Sequence, residues 1–262
     1  MKITALVENT SCKEDVLPEH GLSLYIETDS NKILFDMGQS DLFYKNSKVL
    51  NINIDCVDLA VVSHGHYDHG GGLQCFLDTN TCAPVYINEY AFGDYYNGTE
   101  KYIGLDKILS DNRRLIKHNG VCIINDNLTL YSSCEFKPKF SVNAGGLKKK
   151  VHSNFTDDDF RHEQYLLIKE NDKKILISGC SHKGILNVAD WFDVDVIVGG
   201  FHFSKLPIDS KMKGYAKALS EKKTAFLTCH CTGMEQYKFM KETMPNLYYL
   251  SAGQTINTDD IL

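Results

Sequence analysis

The chain has no apolar run approaching the ~18–20 residues of a membrane span, which excludes a membrane-spanning helix. It also has no surplus of positive charge. There are 28 lysines and arginines against 34 aspartates and glutamates, a net charge of −6. That balance argues against broad binding to nucleic-acid phosphates or to an anionic membrane. Nine cysteines, an odd number, are scattered from Cys12 to Cys231 without the spacing of a disulfide framework. The opening Met1-Lys2-Ile3-Thr4 lacks the long apolar stretch and cleavage site of a secretory signal. These absences lead us to expect reduced thiols in a cytoplasmic protein. Most cysteines, Cys56 and Cys122 among them, are expected to be small buried hydrophobes.

What is present is the composition of a globular protein. Of 262 residues, 43% are apolar, and a chain of that size buries roughly 70–75% of its unfolded surface without a disulfide scaffold. Length alone allows one domain or two. No linker-like run and no repeat of about 20–50 residues is visible.

Short apolar, β-rich runs predict strands at 2–7, 57–62, 83–87, 194–198 and 224–228, the second nearly continuous, as in a strand buried on both faces. Turn-rich triplets predict hairpins at 21–36, 121–132 and 164–178. Helices are expected at 41–50, from Gly71 to Leu77, at 184–192 and at 211–220. A further helical stretch is expected at about 104–118, and 137–160 is expected to be a long mobile loop. Thr232 and Glu235 match a capping box, so a helix should begin at Gly233. Recurrent helices and an excess of strands predict a layered α/β fold with mixed sheets.

The chemistry concentrates in Ser63-His64-Gly65-His66-Tyr67-Asp68-His69, directly after the buried strand. Neutral imidazoles suit zinc and ferrous iron, and a carboxylate adds an oxygen ligand. His64 and His66 are two residues apart, so both point to one side of an extended loop. Asp68 and His69 follow where the chain turns. Such a loop begins two adjacent metal positions but cannot close them, and three later strands end in small-residue turns carrying histidine. These are Gly179-Cys180-Ser181-His182, Gly199-Gly200-Phe201-His202 and Cys229-His230-Cys231. Active-site residues of layered α/β folds collect at such strand ends.

The H-x-H-x-D-H signature at His64–His69 resembles the metallo-β-lactamase fold superfamily. The stretches 7–9, 19–21, 34–38, 63–73, 179–184, 199–202 and 230–233 are similar to one subgroup. It is the subgroup related to dihydropteridine ribofuranosylaminobenzene 5′-phosphate synthase. The resemblance implies a four-layer αββα sandwich forming a single domain over 1–262, in two βα halves of roughly 1–135 and 136–262. It implies divalent metal, one or two ions, zinc first and iron or manganese as alternatives. His64 and His66 would hold the first, and Asp68, His69 and His230 the second. Asp36, in the L-F-D-x-G motif, would support the ligand loop, and His202 is a further candidate ligand or support. The hydrolase pattern P-G-H-T-x-G is missing. Arg161-His162-Glu163-Gln164 occupies that stretch, and the expected G-D is Gly179-Cys180. His182 is therefore favoured as the replacing ligand, with Cys180 a ligand, a thiol behind the ligands, or a bystander.

The expected activity is metal-dependent hydrolysis of a phosphate ester or diester, or another small anionic metabolite, with Asp68 as the catalytic residue. The alternatives are a non-haem iron oxidoreductase and a non-catalytic metal-binding regulator. A nuclease is disfavoured by the acidic charge. His20 and Lys183 are candidate substrate contacts, Lys183 being otherwise a solvated lysine. The lysines at 148–150 are either solvated or part of a loop that closes over substrate. Tyr90, Tyr95, Tyr96 and Tyr102 either wall the substrate or pack ordinarily.

Overall fold

Alternation along the strands builds the layers. In the strand Leu59–Val62 all four side chains are buried, Leu59 and Val61 on one face and Ala60 and Val62 on the other. The first pair packs against residues of a second sheet, including Leu130, Leu166, Ile177 and Val198. The second pair packs under helices through Phe43, Leu73 and Phe76. The second sheet repeats this logic: Leu176, Ile197 and Phe226 point away from the inter-sheet core and meet Val188, Met212, Leu219 and Met240 of three helices. A period of two, with both faces apolar, thus gives a four-layer αββα sandwich. This is a computed structural model, and it describes residues 1–261.

The first sheet has seven strands, in the order Thr255–Asn257, Lys2–Val7, Ser23–Glu27, Lys32–Phe35, Leu59–Val62, Val85–Asn88 and Leu115–His118. Its first four strands are antiparallel and the rest add in parallel. The second sheet, also seven-stranded, runs Leu247–Tyr249, Ala225–Thr228, Val196–Gly199, Lys173–Ile177, Gln164–Glu170, Leu128–Ser132 and Val121–Ile123. Its parallel part joins Lys173–Ile177, Val196–Gly199, Ala225–Thr228 and Leu247–Tyr249. The parallel strands point one set of C-terminal ends toward a common edge, where the histidine-bearing turns gather. No helix among the described residues is long and apolar enough to cross a membrane.

Four expectations are corrected. Residues 104–118 are not a helix but a short 3-10 turn, Lys107–Asp111, and the edge strand Leu115–His118. Asp106 accepts a hydrogen bond from the Ile108 N–H and Asn112 from that of Arg114, so each local turn is capped by its own side chain. The open edge of Val85–Asn88 then captures the chain that follows. Residues 137–160 are not one long loop. Leu147–Val151 and Asn154–Asp157 form a hairpin that joins Asp94–Asn97 and Lys101–Tyr102 in a small third sheet. Its lysines are neutralised locally, Lys148 by Asp157 and Lys149 by Asp159, each at 2.6 Å. Thr232 does not cap the last helix, Met234–Lys241. Its hydroxyl accepts from the Phe201 N–H at 2.9 Å and pairs with Thr228, leaving Gly233 as the cap. Finally, Cys56 is exposed and Cys122 only partly buried; the fully buried thiols are Cys180, Cys229 and Cys231.

Leu130 lies wholly inside the inter-sheet core. Leu130→Ala should cost about 2–5 kcal/mol of stability, read as a lower urea midpoint at unchanged slope. A cost under about 1 kcal/mol would contradict the dry inter-sheet contact described here.

Candidate metal centre

The site is built from strand ends. Asp36 follows Lys32–Phe35, Ser63 and His64 follow Leu59–Val62, Cys180 to His182 follow Lys173–Ile177, and His230 follows Ala225–Thr228. Nine described non-glycine residues have positive φ, and five of them, Asp36, Phe160, Ser181, His202 and His230, lie in or against this cluster. Such conformations cost free energy and persist where surrounding contacts over-determine them. Close backbone approach does the rest. A Cβ at Gly65 would stand 2.1 Å from the Ala91 carbonyl oxygen, and one at Gly179 2.2 Å from Ser63 Oγ.

Asp36 organises the ligand loop. Its fully buried carboxylate accepts the Ser63 N–H and the Ser63 hydroxyl, both at 2.7 Å, and the His69 Nδ1–H at 2.6 Å. Because the Ser63 proton goes to Asp36, Ser63 Oγ accepts from His64 Nδ1–H at 2.8 Å. His64 is thereby fixed with a bare Nε2. On the far side, Asn9 Oδ1 takes the His230 Nδ1–H at 2.7 Å, which leaves His230 Nε2 bare as well. Glu8 accepts the His230 backbone N–H at 2.7 Å and so holds that strained residue in place.

These rings, and that of His182, face one another in pairs. His64 Nε2 stands 3.3 Å from His182 Nε2, and His69 Nε2 stands 3.2 Å from His230 Nε2. Asp68 Oδ2 lies 3.4 Å from His230 Nε2 and 3.9 Å from His69 Nε2, and it accepts from His20 Nε2 at 3.2 Å. Cys180 Sγ is 3.1 Å from His69 Nε2. Among the described residues five groups of side chains bring ligand atoms within 4.8 Å of one another: His64 with His66 and His182, His64 with His69 and Cys180, Asp68 with His20 and His230, Cys180 with His230 and Cys231, and His66 with Asp158 and His162. Every sequence-predicted ligand thus lies in this cluster. His202 joins it from the side, its ring 4.4 Å from that of His182.

The electrostatics favour a cation. Burial, followed by the neighbouring histidines, holds His64 and His182 well below the ordinary imidazole pKa, and burial lowers His230. These rings are neutral, with lone pairs available. His69 is the exception: burial would lower its pKa, but Asp36 and Asp68 outweigh this and raise it. Burial opposes ionisation of Asp68, yet His69, His20 and His230 pull its pKa well below the carboxylate range. Burial and the neighbouring Cys231 raise the Cys180 thiol well above its usual value. The bare Nε2 of His64 and of His230 each face a second imidazole nitrogen, of His182 and of His69, at a distance that a shared proton or a shared cation can bridge. The buried His66 Nε2 and His182 Nδ1 have no hydrogen-bond partner among the described residues. The donor set therefore fits a divalent metal.

Asp158, His162 and Glu163 also belong to the site, although their sequence neighbourhood carries no ligand motif. His162 Nδ1 accepts the Gly65 N–H at 2.9 Å, so its Nε2–H donates to Asp158 Oδ2 at 3.1 Å. The same oxygen lies 3.5 Å from His66 Nε2. Glu163 accepts the backbone N–H groups of His182 and Lys183 at 2.6 and 3.0 Å. It thereby occupies the turn where Lys183 was expected to help bind an anion. Of the four tyrosines, Tyr95 reaches the site, its ring 4.0 Å from that of His162. Tyr96 and Tyr102 pack on one another, and Tyr90 lies beneath Arg161.

Residues 16–130 match the family model of the metallo-beta-lactamase superfamily. The chain is 29% identical to an uncharacterized protein of Methanocaldococcus jannaschii, covering 97% of this chain and 99% of that one. It is also 29% identical to a protein of the same organism named 7,8-dihydropterin-6-methyl-4-(beta-D-ribofuranosyl)-aminobenzene-5'-phosphate synthase, over 91% of this chain and 90% of that one. Among solved structures it is similar to a metal-dependent hydrolase of the beta-lactamase superfamily, with a TM-score of 0.83, 28% identity and 98% of each chain covered. The chain has the metallo-β-lactamase fold, and its H-x-H-x-D-H loop and these likenesses make it similar to that superfamily.

Proposed function

We propose that the cluster holds one or two divalent ions and serves a metal-dependent hydrolase of small anionic substrates, with a phosphate ester or diester as the first class. The observation that carries this is the convergence of buried imidazole nitrogens, the bare Nε2 of His64 against His182 Nε2 and the bare Nε2 of His230 against His69 Nε2. In this reading His64, His66 and His182 hold one ion, and Asp68, His69 and His230 the other, with Cys180 beside His69. Zinc suits this nitrogen-rich set first, and iron or manganese are the alternatives. An ion held there supplies Lewis acidity and lowers the pKa of a bound water toward ~7. The free thiols suit a reducing compartment such as the cytoplasm.

The chain's own residues supply orientation. Asp68 is ionised at neutral pH and would accept a hydrogen bond from the attacking water, orienting it. His20, half exposed against Asp68, stands where an incoming substrate first meets the site. Asp36 touches no substrate; it keeps His64 and His69 turned inward through Ser63 and through its own carboxylate.

The relative named as a synthase supports a second reading, bond formation at the same residues. By that name its product is a 5′-phosphate, so both readings place a phosphorylated small molecule at the centre. The Cys180 thiol, where a hydrolase carboxylate is expected, supports a third, an iron-dependent oxidoreductase.

Three measurements check the proposal. His66→Ala and His230→Ala should each lower metal stoichiometry while the far-ultraviolet circular dichroism is kept, and Asp36→Asn should weaken metal affinity by about 10–100-fold in a chelator competition. Full retention in both alanine variants would overturn the ligand assignment. Wild type loaded with zinc, manganese or iron should turn over bis-p-nitrophenyl phosphate, and Asp68→Asn should reduce kcat/KM by about 10²–10⁴-fold. Equal inactivity of both proteins with all three metals would remove phosphodiester cleavage.

A further inference from the structure

A cavity of about 320 Å³ opens beside the centre, and His182 and His202 form its inner wall. Its remaining walls are of two kinds. Phe140, Ile185, Leu186, Phe203, Leu206 and Tyr215 supply an apolar lining, with Phe203 and Tyr215 stacked at a centroid distance of 5.4 Å and an angle of 19°. Lys205 and Lys211 supply positive charge, and both are exposed. Among the described residues no aspartate or glutamate lines the cavity. In a chain with 34 acidic residues and a net charge of −6, that selection is informative.

The outer wall is held rather than loose. The Asn187 side chain accepts the backbone N–H groups of Lys139 and Phe140 at 2.9 and 2.8 Å, and donates to the Phe140 carbonyl at 2.9 Å. Phe140 therefore stands at the cavity mouth, 40% exposed, on a backbone fixed to the helix Ile185–Trp191. An aromatic ring held half in water over an apolar cavity is a surface waiting for a flat partner.

We infer that this cavity binds the non-reacting part of the substrate, an aromatic or otherwise flat apolar group, and that the substrate's anionic group points inward past His202 and His182 to the metal centre. The inference rests on the hydrolase reading for its orientation. An apolar cavity of about 150 Å³ takes one benzene, so this one accommodates a fused bicycle or a ring with a short arm. It is also at the lower end of ligand pockets, which run from about 300 to 1,000 Å³. The absence of carboxylates and the two lysines at the walls favour an anion over a cation of the same shape. Substrates of the centre are thus aryl or heteroaryl anions rather than small alkyl phosphates.

Non-hydrolysable probes separate the cavity from the chemistry. Naphthalene-1-phosphonate and methylphosphonate are titrated by calorimetry into the zinc-loaded wild type and into Phe140→Ala and Lys205→Glu, with thermal unfolding confirming that each variant is folded. The aryl probe should bind wild type about tenfold more tightly or better. Phe140→Ala should shrink that preference, and Lys205→Glu should weaken the aryl anion. Equal affinity of the two probes for wild type, or a preference unchanged in Phe140→Ala, would overturn the inference. Neither result depends on turnover. An aryl preference in a protein that cleaves no phosphodiester would keep the cavity assignment and remove the hydrolase reading, whereas cleavage without any aryl preference would do the reverse.

Discussion

A single buried carboxylate, that of Asp36, sets the geometry on which the rest of the site depends. It accepts three hydrogen bonds, from the Ser63 amide, the Ser63 hydroxyl and the His69 imidazole. Each of those bonds uses up a donor and so decides where a lone pair is left. Ser63, whose hydroxyl hydrogen is committed to Asp36, can only accept from His64, and His69, donating its Nδ1–H to Asp36, presents Nε2 to the interior. An ionised carboxylate with no solvent around it needs such donors. Here they are supplied by the residues that must be oriented.

The sandwich supplies the distance over which this works. Parallel strands in both sheets end at one edge, so residues as far apart in the chain as Glu8, Asp36, His69, Cys180 and His230 meet without any element leaving its layer. The meeting is tight, since Gly65 and Gly179 stand where a methyl group would strike the backbone of Ala91 or the hydroxyl of Ser63. The left-handed conformations of Asp36, Ser181, His202 and His230 are the local cost, balanced by hydrogen bonds such as that from the His230 amide to Glu8. The third sheet adds Asp158 and His162 as a lateral brace on His66 and on the Gly65 amide.

Legibility in the sequence followed the range of the interactions. His64, His66, Asp68 and His69 are contiguous, and their type and spacing already speak of metal. His182 and His230 were legible because each follows an apolar run, the mark of a strand end. Asp158 and His162 were not. Their place beside His66 depends on a hairpin whose lysine-rich strand is stabilised by ion pairs with Asp157 and Asp159 and by pairing with Asp94–Asn97, all of them tertiary contacts. The same limit explains Leu115–His118, which is a strand because an open sheet edge lies beside it. Thr232 fits a local capping pattern, yet its hydroxyl is drawn to Phe201 and Thr228 from other segments.

The central claim is that buried imidazole nitrogens face each other across metal. Anomalous diffraction at the zinc, iron and manganese edges, on crystals of protein purified without chelator, tests it most directly. The account predicts a peak between His64 and His182, a second between His69 and His230 where two ions are bound, and each within bonding distance of those nitrogens. Metal-loaded crystals with no peak there, or with the anomalous signal at some other cluster of the chain, would contradict it.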